Sequence, residues 1–457
     1  MADIEFDDNV VSNTVIYDKD GVAMAVTPGN AIPTGVRGFL SVGEDDNGKA
    51  RVIKSSLDGS ITINASDTSG GAFGELRTAV AEAAANIINK YEIDPKEIGT
   101  NIVGSASITH VPAKSAMKLE VTSASGDKAK ARSHAYYRYQ AGKGTRILTT
   151  AYHADTGQTN QVRRWGIFDD NDGLFFELNG TTLYVVIRSS TSGSVVDTKV
   201  AQSNWNRDPF DGTGISEITL DITKGQIWEI QFQWLGVGKV NFFINGYLVH
   251  SVDNPNNTDG PYMRTAVLPV SWEIENTGAS TASHFHSICT SVNIEGTSEL
   301  PEYSFGAYND ADITVGTTER PLLSIRPKLT YNSIENRMSI FPILLAASNE
   351  GGRSAIRLVL DATLTGASWT SAASESGVEY DTSATALSGG TSLIRIFLPA
   401  SEDSTTLDIS KFFAALGRAL RREAFGTNVR TLTITGKYEK QSGSTSMRAS
   451  LTWGESR

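Results

Sequence analysis

The sequence predicts a mainly β, multidomain protein, and three observations support this fold class. Glycine is frequent, at 42 of 457 residues, and it falls in Ser-, Thr- and Asn-rich stretches that are typical of tight turns between short strands. Apolar residues alternate with polar ones in steps of two at 228–234, which is the period of a β-strand. A chain of this length also exceeds what one core usually organises, so about three domains are expected.

Residues 1–70 are predicted to form a small β domain that docks onto a partner. Three turn signals, Asp20-Gly21, Asn47-Gly48 and Asp58-Gly59, separate short apolar runs, and glycine supplies the positive φ that hairpin turns need. Residues 71–106 are predicted to be a linker containing a helix, because apolar residues from Leu76 to Tyr91 recur every three or four positions.

Residues 107–297 are predicted to form a central β-sandwich. Further strands are expected at 146–152, 216–222, 267–274 and 288–294, enough for a curved jelly-roll of the concanavalin-like lectin type. Two Asn-Gly hairpins are expected at 179–180 and 245–246. The predicted cross-strand pairs are Phe176 with Leu183, Leu174 with Val185, Ile244 with Tyr247 and Phe242 with Val249.

Residues 298–457 are predicted to form a second β-sandwich with one packed helix. The helical stripe runs from Ile409 to Leu420, with Asp408 or Ser410 as its cap. The Ser/Thr/Ala/Gly-rich stretch 363–392 is predicted to form long loops. The predicted strands are 322–329, 338–345, 356–360, 431–438 and 446–453.

Composition narrows the choice of partners and location. The formal net charge is −11, and the chain lacks a basic run that could follow a phosphate backbone, so nucleic acid is not an expected partner. The single cysteine, Cys289, cannot close an intrachain disulfide. There is no apolar run of about 18 residues, the length that a membrane span needs. The first ten residues are acidic, whereas a signal peptide would begin with basic residues followed by apolar ones. We therefore expect a chain without a membrane span that is made in the cytoplasm.

Two clusters are candidate metal sites. Asp169, Asn171 and Asp172 could offer oxygen ligands to Ca²⁺, but the spacing of the calcium loop of helix-loop-helix proteins is not met, which favours a solvated turn between strands. His284 and His286 lie two apart on a predicted strand, so their rings share a face. In a three-fold fibre they could bind a transition metal, although Ile288, Val292 and Ile294 share their parity and indicate that the rings end a core-facing row.

The aromatic residues offer candidate glycan platforms. Trp165, Trp205 and Tyr262 stand beside polar or turn residues, so they could stack on a sugar, although a place at the sandwich edges or in a subunit interface is favoured for such rings. Glu273 and Glu275 alternate along a strand, which indicates a solvent-facing row rather than a glycosidase pair. The sequence contains no hydrolase elbow, zinc-protease helix or phosphate loop, so neither an enzyme nor a cofactor is predicted.

Several runs resemble virion structural proteins of tailed bacteriophages over about the first two thirds of the chain. These runs are Arg164-Trp165-Gly166-Ile167-Phe168-Asp169-Asp170-Asn171-Asp172-Gly173-Leu174-Phe175-Phe176, Gln233-Trp234-Leu235-Gly236-Val237-Gly238, Pro261-Tyr262-Met263-Arg264-Thr265 and Ile32-Pro33-Thr34-Gly35-Val36-Arg37-Gly38. The resemblance implies a chain in the tail, baseplate or neck of a virion. It also implies contacts with other virion proteins and with copies of the same chain, trimers being common in fibres and spikes.

The leading functional prediction is a structural virion component in which one terminal region docks to the particle. An alternative is a receptor-binding tail protein that recognises a host-surface glycan. A third hypothesis is a polysaccharide depolymerase, which would need two buried acids in a groove.

Overall fold

The computed structural model describes residues 16–17, 23–24, 41–44, 50–53, 81–254, 256, 258–296, 303–400, 403–415 and 419–456. The chain divides into two units, 1–69 and 70–457. In the first unit, β1 (Ile16–Tyr17) pairs with β2 (Ala23–Met24), and β3 (Ser41–Glu44) pairs with β4 (Ala50–Ile53), both antiparallel. These pairs flank the predicted turns at 20–21 and 47–48. The predicted turn residues 20–21, 47–48 and 58–59 themselves lie outside the described residues.

The central sandwich of the second unit consists of two antiparallel sheets. Its strands are β5 (Ala81–Ile88), β6 (Ile98–Val103), β7 (Ser107–Val111), β8 (Ala116–Val121), β9 (Lys128–Ser133), β10 (Thr145–His153), β11 (Gln161–Phe168), β12 (Gly173–Asn179), β13 (Thr182–Ser189), β14 (Val196–Ala201), β15 (Gln226–Phe232), β16 (Val240–Ile244), β17 (Tyr247–Val252), β18 (Val270–Asn276) and β19 (Ser283–Glu295). Short 3₁₀ turns follow at Pro112–Lys114 and Gln202–Asn204.

The last strand of the central sandwich, β19, lies inside its sheet, between β10 and β8. In the described chain, the eight-stranded sheet has the order β17-β16-β15-β10-β19-β8-β7, with β5 also paired to β19, and the seven-stranded sheet has the order β14-β13-β12-β11-β18-β9-β6. The inward faces of both sheets meet in one apolar core that includes Trp165, Trp228, Phe242 and Trp272. The predicted central β-sandwich is confirmed.

The C-terminal sandwich has a separate apolar core that includes Leu323, Ile356, Leu451 and Trp453. Its strands are β20 (Tyr303–Tyr308), β21 (Ile313–Val315), β22 (Arg320–Pro327), β23 (Thr330–Tyr331), β24 (Ile334–Glu335), β25 (Ser339–Asn349), β26 (Ser354–Leu360), β27 (Thr363–Thr365), β28 (Thr370–Ser371), β29 (Val378–Asp381), β30 (Ala386–Ser388), β31 (Thr391–Leu398), β32 (Asp403–Asp408), β33 (Leu432–Tyr438) and β34 (Thr445–Ser456). The helix α1 is Ser410–Ala415.

Two further sheets form this C-terminal sandwich. The five-stranded sheet has the order β20-β34-β25-β32 with β21 beside β34, and the six-stranded sheet has the order β28-β29-β22-β33-β26-β31. Strands were expected at the positions of β22, β25, β26, β33 and β34, and all five are present. The stretch 363–392 was predicted to form loops, but it contains the short strands β27 to β30. The mainly β, multidomain fold class is confirmed, while the finer predicted division at residues 106 and 297 stays a prediction.

The predicted linker helix is wrong where the structure describes it. Residues 81–88 form strand β5, which pairs with β19 from Cys289↔Ile88 to Glu295↔Ala81. The three-and-four spacing of apolar residues is therefore overridden by backbone hydrogen bonds to a neighbouring sheet, which is a tertiary effect. The second predicted helix is present over the described residues Ser410–Ala415, and Asp408 caps it by accepting a 2.9 Å hydrogen bond from the Ser410 N–H.

Two hairpin registers differ from prediction. The loop expected at 179–180 lies one residue later, so Phe176 pairs with Val185 and Leu174 with Ile187. In the second hairpin Ile244 pairs with Tyr247 as predicted, but a β-bulge pairs Phe242 with His250 instead of Val249. The strand predicted at 216–222 is only a single bridge between Asp211 and Thr219.

The predicted alternation at 228–234 is confirmed, but the polar side of the strand is buried as well as the apolar side. Trp228, Ile230 and Phe232 lie in the core. Glu229 and Gln231 face away from the core, yet they too are buried. The reason is that Arg146 on the neighbouring strand covers Glu229 with two hydrogen bonds of 2.6 and 2.8 Å.

Candidate functional site

The predicted Ca²⁺ cluster is a hydrogen-bonded turn between β11 and β12. The Asp169 carboxylate accepts the N–H groups of Asn171 at 2.7 Å and Asp172 at 2.9 Å, and burial raises the pKa of Asp169. Asp172 is fully buried and accepts hydrogen bonds from the Arg264 N–H at 2.8 Å and the Ser190 hydroxyl at 2.8 Å. These carboxylates are occupied by backbone and hydroxyl donors, as expected of a turn, although Asp172 is not solvated as predicted.

The Asp170 carboxylate forms ion pairs with two cations on β9. It lies 2.8 Å from Lys130 Nζ and 3.1 Å from Arg132 Nη2. Burial alone would raise the pKa of Asp170, but Arg132 and Lys130 hold it well below its usual range. Across the described residues, no group of three or more His, Cys, Asp or Glu side chains is placed to hold a metal ion.

A row of alternating charges crosses the outer face of the seven-stranded sheet. This charged row consists of Lys128 and Lys130 on β9, Glu273 and Glu275 on β18, Arg164 on β11, Glu177 on β12 and Lys199 on β14. Its residues alternate with the core residues Trp165 and Trp272, so they lie on the opposite face. Neighbouring strands are directly paired here, with Arg164 opposite both Glu177 and Glu273.

Arg164 is the centre of the charged row. Its Nε donates to Glu177 at 2.7 Å and its Nη1 to Glu273 at 3.0 Å. Lys199 lies 2.5 Å from Glu177, and Lys128 lies 2.7 Å from Glu275. The row therefore ties five strands together through side chains in addition to the backbone hydrogen bonds.

Glu273 was predicted to face solvent, but it is only 3% exposed. Burial would raise its pKa, but Arg164, Lys130 and Lys128 keep the pKa of Glu273 below its usual value. A general acid must hold a proton at working pH, so Glu273 is unsuited to that role. The arrangement instead stabilises an ionised carboxylate within the sheet.

His284 and His286 share a face, as predicted, but that face points away from the core. The His286 ring stacks on Tyr152 at 4.6 Å, and the His284 ring lies edge-on to His286 at 4.9 Å. A β-bulge on β19, between the residues paired with Thr149 and Ala151, reverses the parity of the strand. Phe285 and Val292 therefore point into the core while both histidines point out. Burial and the neighbouring His284 and Lys114 lower the pKa of His286 to about 4.

The three predicted glycan platforms are wrong, because all three rings are buried. Trp165 is 0% exposed and packs edge-on to Trp228 at 4.9 Å. Trp205 donates its indole N–H to Val200 O at 3.2 Å. Burial raises the pKa of Tyr262, whose ring contributes to the same core. Adjacent polar residues in the sequence had suggested exposure, but these polar neighbours lie on the other faces of the same strands and turns.

A joint between the two sandwiches was not predicted from the sequence. His134, which follows β9, accepts a 2.8 Å hydrogen bond at Nδ1 from the N–H of Ala424 in the C-terminal sandwich. Its Nε2 lies 3.1 Å from the carbonyl oxygen of Pro95. Since one partner can only donate and the other only accept, the ring is the neutral tautomer protonated at Nε2. Burial lowers the pKa of His134.

Cation stacking reinforces the joint. The Arg337 guanidinium of the C-terminal sandwich lies 4.4 Å above the Tyr136 ring and donates to Glu423 O at 2.8 Å. In the opposite direction, Arg132 of the central sandwich lies 5.0 Å from the Phe425 ring. Such stacks contribute more when they are desolvated. The residues come from distant parts of the chain, so sequence spacing carries no signal for this joint.

Comparison with known proteins gives fold-level likeness only. No protein-family model and no curated protein matches the chain. The metal-free carbohydrate recognition domain of Emp46p is similar with a TM-score of 0.30 and 8% identity, covering 47% of this chain and 97% of that one. An endo-β-1,4-glucuronan lyase from Trichoderma reesei has a TM-score of 0.31 and 10% identity, covering 47% and 96%.

The binding domain of botulinum neurotoxin serotype G is also similar, with a TM-score of 0.30 and 12% identity. The match covers 48% of this chain and 49% of that one. These TM-scores are low, so function has to be argued from the geometry of this chain. In the part of the chain that the structure describes, there is no helix with the length and apolar character needed to cross a membrane.

Proposed function

We propose that this chain is a structural component of a tailed-bacteriophage virion, located in the tail, baseplate or neck, and that it assembles as a homo-oligomer with other virion proteins. The observation that carries the proposal is the joint at His134, which ties two β-sandwiches into one unit. A particle component must transmit load between its attachment point and its outer surface, and a fixed joint serves that purpose. The resemblance of the runs around Trp165 and Tyr262 to virion proteins supports the same assignment.

The charged row supports a structural role by a second route. Its ion pairs are nearly buried and shared, with Arg164 serving two carboxylates. Removing one partner of such a pair is costly, so the row favours a single arrangement of the strands. The resulting sheet resists sliding of one strand past another, which suits a building block exposed to mechanical stress.

The two alternatives find no support at the buried aromatic rings or at the buried carboxylates. The receptor-binding hypothesis relied on Trp165, Trp205 and Tyr262, which are buried. The depolymerase hypothesis needs one protonated and one ionised acid, whereas Glu273 and Glu177 are each paired with Arg164. The non-catalytic assignment is therefore the one that the geometry favours.

Purified particles of the phage that encodes this chain provide the test. We expect mass spectrometry to find the chain in gradient-purified virions, and immunogold labelling to place it at one fixed position on the tail, baseplate or neck. Antibody pre-absorbed with the recombinant chain is the control. A chain found only in the free protein fraction of the lysate, and not in the particles, would rule the proposal out.

A further inference from the structure

The outer face of the five-stranded sheet carries a shallow groove of about 290 Å³. The groove crosses β20, β34, β25 and β32, which are neighbours in that order. Its principal lining residues are Tyr308, Asp310, Ala346, Thr406, Arg448 and Ser450. The volume lies near the lower end of the range of about 300–1,000 Å³ that is usual for ligand sites.

Register brings four of these residues into one line across the sheet. Tyr308 pairs with Ser450, Ser450 with Ala346, and Ala346 with Thr406. Strands lie about 4.8 Å apart, so Tyr308 and Thr406 are about 14 Å apart along this line. The two middle side chains are small, so a flat ligand can lie directly on the sheet between the Tyr308 ring and the Thr406 hydroxyl.

Tyr308 differs from Trp165, Trp205 and Tyr262, the three glycan platforms that were predicted from the sequence, because it is exposed. Tyr308 is 61% exposed, and the neighbouring residue Ala307 lies in the core of the C-terminal sandwich. An exposed tyrosine presents an apolar ring face and a polar tip. A sugar ring has the complementary form, since one face displays C–H groups and the rim displays hydroxyls.

Polar groups of both kinds surround the ring. The hydroxyls of Ser450 and Thr406 can donate or accept, while the Arg448 guanidinium can only donate. Arg448 is 57% exposed in its side chain and lies 2.5 Å from Asp312. A groove with an aromatic wall and several mixed hydrogen-bonding groups is suited to a polyol.

Local charge selects among glycans. Arg448 is the cation beside the groove, and the acids Asp310, Asp312 and Glu350 act on it. Asp310 lines the groove and Asp312 pairs with Arg448, so the single positive charge of Arg448 is outnumbered by these two negative ones. A uronate or sialate would meet net repulsion, and an uncharged sugar would not.

From these features we propose that the groove of the five-stranded sheet binds a neutral glycan, with Tyr308 as the stacking platform and Arg448, Ser450 and Thr406 as hydrogen-bonding groups. The site adds a glycan-binding activity to the C-terminal sandwich, at residues other than the buried rings of Trp165, Trp205 and Tyr262. It does not depend on where the chain sits in the particle, so a glycan-binding assay can fail while particle labelling succeeds, or the reverse.

The test uses the purified full chain on an array of neutral and acidic glycans, followed by calorimetric titration with the best neutral oligosaccharide. Tyr308→Ala should weaken binding about ten-fold, which is the size expected for loss of one aromatic contact. Ala346→Phe, which fills the floor of the groove, should weaken binding to at least the same extent. Thermal unfolding of both variants should match that of the unmodified chain.

Tyr247→Ala is the matched control, because Tyr247 is 48% exposed but lies on β17 of the central sandwich. Its affinity should equal that of the unmodified chain. The proposal is overturned if no neutral glycan binds, if acidic glycans bind better than neutral ones, or if Tyr308→Ala and Ala346→Phe bind normally. Loss of binding in Tyr247→Ala would also overturn it, because the site would then lie on the central sandwich.

Discussion

The N–H of Ala424 donates a 2.8 Å hydrogen bond to Nδ1 of His134, although the two residues lie 290 positions apart in the chain. This bond joins the C-terminal sandwich to the central one inside a buried contact. The other ring nitrogen is held by Pro95 O at 3.1 Å. Both nitrogens of one imidazole are thus committed to the joint, and several consequences can be measured.

His134→Leu should loosen the joint, because it leaves the Ala424 N–H buried without its acceptor. A lost partner of this kind costs about 1–3 kcal/mol. We expect a lower free energy of unfolding in urea and a larger radius of gyration by small-angle X-ray scattering.

His110→Leu serves as the control for the joint. His110 also uses Nε2 in a hydrogen bond, to Asn89 O at 2.8 Å, but within the central sandwich. Its radius of gyration should stay that of the unmodified chain. Equal radii for the His134 and His110 variants would contradict the role given to His134.

The joint should also weaken in mild acid, because an imidazolium at His134 could not accept the Ala424 N–H. Burial lowers the pKa of His134 and the cations Arg430 and Arg421 add to this, although the hydrogen bond to Pro95 O and the charge of Glu423 raise it. The unfolded chain, with an ordinary histidine pKa of about 6.5, then binds the proton first. Stability contributed by the neutral ring is therefore complete above about pH 6.5 and declines as the pH falls toward the folded-state pKa.

His134→Asn isolates this effect, because an amide oxygen can accept the same N–H but does not titrate. Urea midpoints should be measured at about pH 7.5 and about pH 5. The fall between the two should be smaller in the variant than in the unmodified chain. Since His153 and His286 also have lowered pKa values, a residual fall is expected in both proteins, and identical falls would exclude His134 as a contributor.

The charged row should depend strongly on Glu273. Glu273→Gln removes the charge that faces Arg164, Lys128 and Lys130, and breaking a buried pair costs about 3 kcal/mol. Glu275→Gln is the matched comparison, because Glu275 is 27% exposed and lies 3.7 Å from Arg164. It should cost less than about 1 kcal/mol. Chemical denaturation of both variants measures the difference, and equal losses would count against the central position of Glu273.

Gly157 should tolerate a side chain far less well than Gly193 does. Both have positive φ, 114° and 84°, so alanine at either site costs about 1–2 kcal/mol in backbone strain. A Cβ at Gly157 would also collide with the carbonyl of Gly180, whereas Gly193 has open space around it. Gly157→Ala should therefore lose roughly 1–3 kcal/mol more than Gly193→Ala in unfolding free energy. Similar melting temperatures for the two variants would contradict the close approach of these two loops.

Prediction from sequence succeeded where information is local. Alternation of apolar residues identified β15, and apolar runs identified five strands of the C-terminal sandwich, namely β22, β25, β26, β33 and β34, because side-chain period follows directly from backbone geometry. It also placed Ile244 opposite Tyr247 across an Asn-Gly turn. The register at Phe242 failed because a bulge inserts a residue, and sequence patterns do not show where a ladder is interrupted.

The candidate sites were harder to predict, since exposure depends on what covers a residue. Trp165, Trp205 and Tyr262 stand next to polar residues in the chain, yet their rings are buried by strands from both sheets. The linker helix failed for a related reason, because residues 81–88 gain more by pairing with β19 than by forming local hydrogen bonds.

The sequence by itself determined the class of the fold, because strand period, turn chemistry and core composition are all encoded within a few neighbouring residues. Only the tertiary structure decided which side chains meet. The pairing of His134 with Ala424, the placing of Glu273 and Glu177 around Arg164, and the line from Tyr308 to Thr406 each join positions from different strands or loops. Such contacts depend on register and sheet order, which are set when distant segments pack, so no local pattern in the chain could specify them.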